Sequence, residues 1–145
     1  MYIYIIEELT GLVSTLIPDF SGKESIMGHS MGGHGALVIG MKNAIRFKAI
    51  SAFAPILNPS KVPWGIKAFS SYLGEDKDSW KEWDASELVK KTDIPPILIT
   101  QGSKDNFYQE QLKENTFLEN AGENNQEVIY KKVEGYDHSY FFIST

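Results

Sequence analysis

The sequence contains no cysteine and only three histidines among its 145 residues. The absence of cysteine excludes disulfides, thiolate zinc sites and a cysteine nucleophile from this chain. Lysine and arginine number 14 against 19 aspartates and glutamates, so the formal net charge is −5, and there is no basic run. Because nucleic acids and anionic membranes attract concentrated positive charge, we expect neither of them as a partner.

Long apolar runs are also absent. The opening Met-Tyr-Ile-Tyr-Ile-Ile lacks a basic flank and a small-residue cleavage site and runs into Glu7 and Glu8, so we do not expect a signal peptide. No apolar run has the length that a bilayer span requires. With 42% hydrophobic residues, the sequence predicts a single globular domain over residues 1–145. A reducing, cytoplasmic setting is compatible with this composition.

Helical and strand patterns alternate along the chain, which predicts an α/β fold with a mostly parallel sheet and flanking helices. The predicted strands cover residues 24–27, 48–53, 97–100 and 128–133, and the predicted helices cover residues 6–17, 33–43, 64–73, 80–89 and 109–121. Proline and glycine clusters separate these elements, and no repeat or low-complexity stretch interrupts them.

The most informative motif is Gly28-His29-Ser30-Met31-Gly32, between the first predicted strand and the helix after it. Gly-x-Ser-x-Gly in a strand-turn-helix context predicts a strained turn that presents a nucleophilic serine, here Ser30. We expect Gly28 and Gly32 to remove side chains that would collide with this turn. The alternative is a glycine-rich turn in which Ser30 only caps the following helix.

A serine nucleophile needs a general base, and histidine is the usual one. His29 and His34 lie on or beside the turn, too close along the chain to reach the serine hydroxyl, and we expect them to pack or to form hydrogen bonds there. His138 follows the last predicted strand and is the candidate base, the alternative being an exposed turn histidine. The spacing of His29 and His34 fits a helical metal pair poorly, so no metal site is predicted.

The base needs an acid that orients it, and Asp105 is the candidate because it follows the third predicted strand. Its carboxylate would emerge at the same sheet edge as Ser30 and the His138 loop. An ordinary turn aspartate is the alternative. Asp137 competes, but a side chain next to the histidine in sequence rarely reaches its ring. We expect Asp76 and Asp84, which lie among amphipathic helical segments, to be solvated.

Acyl transfer also needs donors for the oxyanion that develops at the attacked carbonyl. The backbone N–H of the residue after the nucleophile, Met31, is the expected first donor. A second donor normally comes from a loop after an earlier strand, and we do not find that loop in this chain.

Several sequence blocks in a fixed order extend over nearly the whole chain. They are 28–37, 51–56 with Asn58-Pro59, 63–65 with 67–69, 72–74, Gln101-Gly102 with Asp105, and 134–140. On these blocks the chain resembles the S-formylglutathione hydrolase family, also called esterase D. The resemblance implies an α/β-hydrolase fold and a cytosolic serine thioesterase without a cofactor. Such enzymes hydrolyse S-formylglutathione to glutathione and formate in formaldehyde detoxification, with side activity on small carboxylic esters.

Carried over by position, the resemblance implies the triad Ser30, Asp105 and His138 and a thioester of glutathione as the small-molecule substrate. It also suggests that Trp64 and the segment 53–55 border the acyl or glutathione site, although packing over the sheet explains them equally well. A homodimer is an assembly we consider for the full-length family member. A general short-chain carboxylesterase of the same fold is the alternative activity, because fold and triad do not determine the leaving group.

Family members are about twice as long, so we expect this chain to correspond to a carboxyl-terminal half that lacks the first strands and in which the final helix is cut short. The loss of a neighbouring strand would expose an edge with unpaired backbone groups. We therefore predict marginal stability and a tendency to associate. An inert fragment or scaffold, lacking half of the oxyanion hole, is a further alternative to an active enzyme.

Overall fold

The computed structural model describes residues 1–91 and 93–144. Four parallel strands form one sheet in the order β1-β2-β3-β4. Their bounds are Glu24–His29 for β1, Phe47–Phe53 for β2, Ile97–Gly102 for β3 and Val128–Val133 for β4. All four predicted strands are confirmed, and the parallel α/β architecture with them.

The helices follow the predicted order but not all of the predicted lengths. They are α1 (Thr10–Leu16), preceded by a π-helical stretch (Tyr4–Leu9), then α2 (Met31–Lys42), α3 (Pro63–Leu73), α4 (Lys77–Trp80), α5 (Ala85–Leu88), α6 (Asn115–Glu123) and α7 (Phe141–Ser144). Within residues 1–91 and 93–144, none of the helices has the length and apolar character needed to cross a bilayer.

Two predicted helices are interrupted. The segment 80–89 is not one helix, because α4 ends at Trp80 and α5 begins only at Ala85. The segment 109–121 is divided between a π-helical stretch, Tyr108–Leu112, and α6, because Lys113 adopts an extended backbone conformation. Apolar spacing persisted through both interruptions, which is why the sequence pattern did not reveal them.

Asp84 explains the first interruption, and the expectation that it is solvated is wrong. The residue is 0% exposed. Its Oδ1 accepts a hydrogen bond from the Ser86 N–H, and its Oδ2 accepts one from the Ser60 N–H, both at 2.9 Å. Asp84 therefore caps α5 and ties it to the turn Pro59–Lys61. Asp76, which caps α4, is exposed as expected.

The main core lies between one face of the sheet and helices α2, α5 and α6. Leu37 of α2, Ile50 of β2, Ile99 of β3 and Phe117 of α6 are all fully buried there. Helix α2 packs across β1 and β2, next to the turn that carries Ser30. The strand that leads to Ser30 and the helix that follows it are therefore both anchored in the core.

The opposite face of the sheet is largely uncovered, and we call it the open face. Met27, Ser51, Leu98 and Ile129 lie side by side across the four strands on this face. Met27 is 64% exposed and Ile129 is 52% exposed. Parallel sheets normally have both faces covered, so the exposed apolar side chains in this row are unusual.

Candidate active site

Ser30, Asp105 and His138 lie in three loops at one edge of the sheet. Ser30 follows β1, Asp105 follows β3 and His138 follows β4. Because the strands are parallel, their carboxyl ends meet at the same edge. The His138 Nε2 atom lies 2.9 Å from Ser30 Oγ, and its Nδ1 atom lies 2.6 Å from Asp105 Oδ2. The structure thus brings together the three residues that the sequence predicts as a triad.

The direction of these hydrogen bonds follows from the chemistry of the partners. An ionised carboxylate can only accept a hydrogen bond, so the His138 Nδ1–H donates to Asp105. The Nε2 atom of a neutral imidazole is then an acceptor, and the Ser30 hydroxyl donates to it. This is the tautomer in which a histidine can remove the proton of a serine nucleophile.

The turn at Ser30 is strained in the way that the motif predicts. Ser30 has φ 57° and ψ −119°, which is rare for a residue with a side chain. Its N–H donates to the Phe53 carbonyl at 2.8 Å, which fixes the turn against the end of β2. The Ser30 side chain makes no capping hydrogen bond to α2, so the alternative of a simple helix cap is wrong.

The two motif glycines differ in their steric role. A Cβ atom at Gly28 would lie 2.1 Å from the Gly32 carbonyl oxygen, so β1 and α2 approach too closely there for any side chain. A Cβ atom at Gly32 would have no neighbour within 4 Å. The expected steric requirement therefore holds for Gly28 and is wrong for Gly32.

The Asp105 side chain is 0% exposed and accepts hydrogen bonds on both of its oxygens. Oδ1 accepts from the Phe107 N–H at 2.9 Å, while Oδ2 accepts from His138 and from Gln101 Nε2, the latter at 2.9 Å. The competing Asp137 is exposed, and its Oδ1 accepts from the Ser139 N–H at 2.8 Å. Hydrogen bonds from Ser139 lower the pKa of Asp137, so this carboxylate is stabilised within its own loop.

The loop that carries His138 is held against the end of β3. The Lys104 N–H donates to the Tyr136 carbonyl at 2.8 Å, and the Gly135 N–H donates to Ser103 Oγ at 2.9 Å. A Cβ atom at Gly102 would lie 2.4 Å from the Tyr136 carbonyl oxygen. Glycine at position 102 thus permits the close approach that places His138 beside Asp105.

Aromatic rings enclose the His138 imidazole. The His29 ring centroid lies 4.7 Å from that of His138, and the Phe107 ring meets it edge-on at 5.1 Å. Burial lowers the pKa of His29, and the charge of His138 lowers it further. A neutral His29 does not compete electrostatically with a protonated His138.

His34 lies in α2 and takes no part in the triad. Its Nε2 is 2.8 Å from the Trp83 carbonyl oxygen, and burial lowers its pKa. His34 therefore forms hydrogen bonds near the turn, as the sequence suggested. Among residues 1–91 and 93–144, no group of three or more histidine, aspartate or glutamate side chains could hold a metal ion.

Sequence reasoning missed two contacts of the triad. Gln101 donates to Asp105 and Phe107 packs on His138, although neither side chain was predicted to touch the site. The signal for Gln101 was present, since a polar residue near the end of a buried strand stands four residues before the predicted acid. Phe107 carries no comparable signal, because one aromatic residue in a loop is equally typical of packing.

An apolar cavity of about 260 Å³ opens beside Ser30. It is lined by Ser30, Met31, His34, Ile56, Pro59, Trp64, Gly65, Ala68 and Phe69. Trp64 thus borders the nucleophile, whereas Phe53 packs on Phe142 and Ala54 is buried. A larger cavity of about 490 Å³ lies between the amino-terminal helix and β1 and contains none of the predicted site residues.

Met31 is the first residue of α2, directly after the nucleophile. The first N–H groups of a helix have no carbonyl partner within the helix, and its dipole places partial positive charge there. The start of α2 is therefore suited to an oxyanion that forms next to Ser30.

The sequence matches the Esterase family over residues 3–144. A solved S-formylglutathione hydrolase from Agrobacterium tumefaciens is 42% identical, with a TM-score of 0.93 over 99% of this chain and 52% of that chain. An S-formylglutathione hydrolase from Staphylococcus aureus is 23% identical, with a TM-score of 0.77 over 98% of this chain and 58% of that one. The chain thus spans about half the length of these relatives. The four-stranded parallel sheet with its helices is part of an α/β-hydrolase fold.

Proposed function

This chain belongs to the Esterase family, and on that premise we propose that Ser30, His138 and Asp105 form the triad of a serine thioesterase that hydrolyses S-formylglutathione. The observation that carries the proposal is the continuous hydrogen-bonded path from Ser30 Oγ through His138 to Asp105, with distances of 2.9 and 2.6 Å. The 42% identity to the Agrobacterium tumefaciens enzyme supports the thioester as substrate. A cytoplasmic role in formaldehyde detoxification is part of the same proposal.

In the acylation step, Ser30 Oγ attacks the thioester carbonyl carbon while His138 Nε2 accepts the hydroxyl proton. The Asp105 carboxylate stabilises the imidazolium that results and keeps its Nδ1–H in place. The carbon–sulfur bond of the tetrahedral intermediate then breaks, and the glutathione thiolate takes the proton from His138. Ser30 is left as a formyl ester.

Deacylation repeats these steps with water as the nucleophile. His138 Nε2 removes a proton from the water, which attacks the formyl carbon. The ester bond to Ser30 breaks, Ser30 recovers its proton from His138, and the product leaves as formic acid, which ionises to formate by releasing a proton to solvent. Because Asp105 is buried and accepts hydrogen bonds on both oxygens, the base returns to the same tautomer after each half-reaction.

The oxyanion of both intermediates is placed next to the N–H of Met31. Loss of one oxyanion donor typically lowers turnover by roughly a hundredfold to a thousandfold. If the second donor is supplied by a part of the longer relatives that this chain does not match, the chain alone would turn over slowly. An inert fragment is therefore one of the outcomes that the experiment below distinguishes.

A general short-chain carboxylesterase is the second candidate, and the cavity beside Ser30 favours it. A formyl group has only two non-hydrogen atoms and is not much larger than a water molecule, which occupies about 30 Å³ in the liquid. The cavity volume of about 260 Å³ is several times larger than that. Ile56, Trp64 and Phe69 give the cavity an apolar lining suited to an alkyl chain. The ratio of turnover on S-formylglutathione to turnover on aryl acetate and aryl butyrate separates the two candidates.

The test is hydrolysis of S-formylglutathione by the purified chain and by single variants. We expect Ser30→Ala to abolish activity and Asp105→Asn to lower it by roughly four orders of magnitude, because the wrong tautomer of His138 is then favoured. Asp137→Asn is the matched control, since it changes the neighbouring carboxylate without touching the imidazole, and it should remain close to wild type. Equal losses at Asp105 and Asp137 would exclude the assignment of the acid.

The same assay is repeated after adding the amino-terminal half of the Agrobacterium tumefaciens relative. If the chain alone is active and Ser30→Ala is not, the result would support a thioesterase that does not need a second oxyanion donor from another part of the protein. Activity only in the mixture would identify the chain as half of a catalytic unit. No activity in either arm, with a folded chain, would favour the inert scaffold.

A further inference from the structure

Gln101 is a buried polar side chain that the mechanism above does not use. It is 1% exposed, and it lies in β3 immediately before Gly102. Its Nε2 atom is 2.9 Å from Asp105 Oδ2 and 3.3 Å from the Gly102 carbonyl oxygen. Both neighbours are acceptors, so the NH₂ group of the amide must face them. The orientation of this side chain is therefore determined by its surroundings.

We propose that Gln101 is a positioning residue that holds Asp105 Oδ2 toward His138 Nδ1, an inference that rests on the triad proposed above. Oδ2 accepts from both Gln101 and His138, while Oδ1 accepts from the Phe107 N–H. Donors on both oxygens fix the rotation of the carboxylate about its Cβ–Cγ bond. Without Gln101, Oδ2 would accept from the imidazole alone, and the Phe107 N–H on Oδ1 would be the remaining fixed donor to the carboxylate.

An amide suits this task better than a charged donor. A lysine or arginine at this position would neutralise Asp105 and remove the charge that stabilises the imidazolium of His138. A neutral NH₂ group orients the carboxylate and leaves its charge available. Gln101 is also part of a strand that is hydrogen-bonded on both sides, by β2 and by β4, so the donor sits on a rigid element.

Ionisable groups on the neighbouring loop and strand bear on any pH dependence measured at Asp105 and Gln101. His138 contacts Asp105 directly, and His29 packs on His138 and interacts electrostatically with Asp105. Asp137 precedes His138 in the same loop. Lys132 stands opposite Gln101 in β4, with its Nζ 4.2 Å from the centroid of the Tyr108 ring.

The first test follows the His138 Nδ1 proton by NMR in the purified chain, which does not require turnover. Gln101→Met retains the length of the side chain and removes the donor. We expect its Nδ1–H to exchange with solvent about tenfold faster than in wild type, because one hydrogen bond to a charged group is lost. Gln111→Met is the matched control: Gln111 is also buried, but its Oε1 accepts from the Trp64 N–H. It should leave the His138 proton unchanged.

The second test uses Gln101→Glu and the rate at which Ser30 reacts with a fluorophosphonate. While the introduced carboxyl is protonated, it can donate to Asp105; once ionised, it repels that carboxylate. We expect the ratio of variant to wild-type rate to fall at least about tenfold between pH 5 and pH 8. A purely structural role would give a ratio that does not change with pH.

Unchanged proton exchange in a folded Gln101→Met variant would overturn the proposal, as would a pH-independent ratio for Gln101→Glu. If Gln101→Met does not fold, the pH dependence of the Gln101→Glu to wild-type rate ratio decides whether Gln101 holds Asp105. If wild-type Ser30 does not react with the fluorophosphonate either alone or after addition of the amino-terminal half of the relative, the proposed function fails, but the NMR comparison still decides whether Gln101 holds Asp105.

Discussion

The backbone of the turn is strained at Ser30, and contacts around this residue hold it in its strained conformation. The positive φ of Ser30 is held by its N–H bond to Phe53 and by the close approach of Gly28 to Gly32. Strain of this kind persists only where neighbouring structure imposes it. The turn is therefore sensitive to small changes at one glycine and tolerant of them at the other.

We predict that Gly28→Ala lowers the free energy of unfolding by about 2 kcal/mol or more, because the new Cβ would overlap the Gly32 carbonyl. Gly32→Ala is the matched control. Its Cβ meets no atom within 4 Å, and alanine favours the helix, so the change should stay within about 1 kcal/mol of wild type. Urea unfolding of both variants is the measurement. Equal destabilisation by the two would contradict the steric account of the turn.

A pH-dependent stability term is expected at His34. Burial lowers its pKa in the folded state below the ordinary value of 6.5, so the unfolded chain binds more protons as the pH falls through that value. Stability should therefore be fully present above about pH 6.5 and decline below it, by at most about 1.4 kcal/mol per pH unit from this group.

The measurement is urea unfolding from pH 8 to pH 5 of wild type and of His34→Gln, which retains a donor for the Trp83 carbonyl. The variant should lose less stability on acidification. Some slope should remain, because burial also lowers the pKa of His29. Parallel curves for the two proteins would show that His34 does not contribute.

At the scale of elements, short helices are defined by their caps and not by their apolar spacing. The carboxylates of Asp76 and Asp84 cap α4 and α5, and the cap at Asp84 divides the segment 80–89 that the sequence pattern joined. Lys113 has the same effect between the π-helical stretch and α6. The four strands and the order of the longer helices were predicted from the sequence pattern, whereas these interruptions depend on hydrogen bonds that periodicity does not record.

We predict that Asp84→Ala destabilises the chain by about 2–4 kcal/mol, because it removes the cap of α5, takes the side-chain acceptor from the half-buried Ser60 N–H and leaves the Ser86 N–H with the Leu57 carbonyl alone. Asp76→Ala is the matched control at an exposed cap and should cost about 1 kcal/mol or less. Thermal or urea unfolding distinguishes the two. A cost at Asp84 no larger than at Asp76 would contradict a role in joining α5 to the turn at Ser60.

At the scale of the whole molecule, the sheet is covered on one face and open on the other. Helices α2, α5 and α6 bury one face, whereas Met27 and Ile129 are exposed on the open face. β1, which leads to the nucleophile, is also an edge strand in the described part of the chain. Exposed apolar rows and unpaired strand edges both promote association.

We predict that the purified chain self-associates, with a weight-average mass that rises with concentration in sedimentation experiments. Replacing Met27 and Ile129 together by lysine should weaken the association, because charge is introduced on the open face at two exposed positions. Tyr72→Lys, at an exposed apolar position on α3, is the control and should have little effect. A wild-type monomer at all concentrations would contradict the prediction.

The sequence alone determined the chemistry that is available to this protein. One serine in a Gly-x-Ser-x-Gly turn, no cysteine and three histidines leave few ways to build a nucleophile and its base. The order of strands and loops then predicted that Ser30, Asp105 and His138 emerge at one edge, because parallel strands place their carboxyl ends together.

Only the tertiary structure decided which side chains touch. The 2.6 Å contact of His138 with Asp105 and the burial of Asp84 depend on residues far apart in sequence, and the donor from Gln101 depends on how the chain turns after β3. Sequence spacing specifies order along the chain, whereas hydrogen bonds and burial depend on the packing of separate elements. The open face has the same origin, since which face of a sheet is covered is decided by where the helices pack.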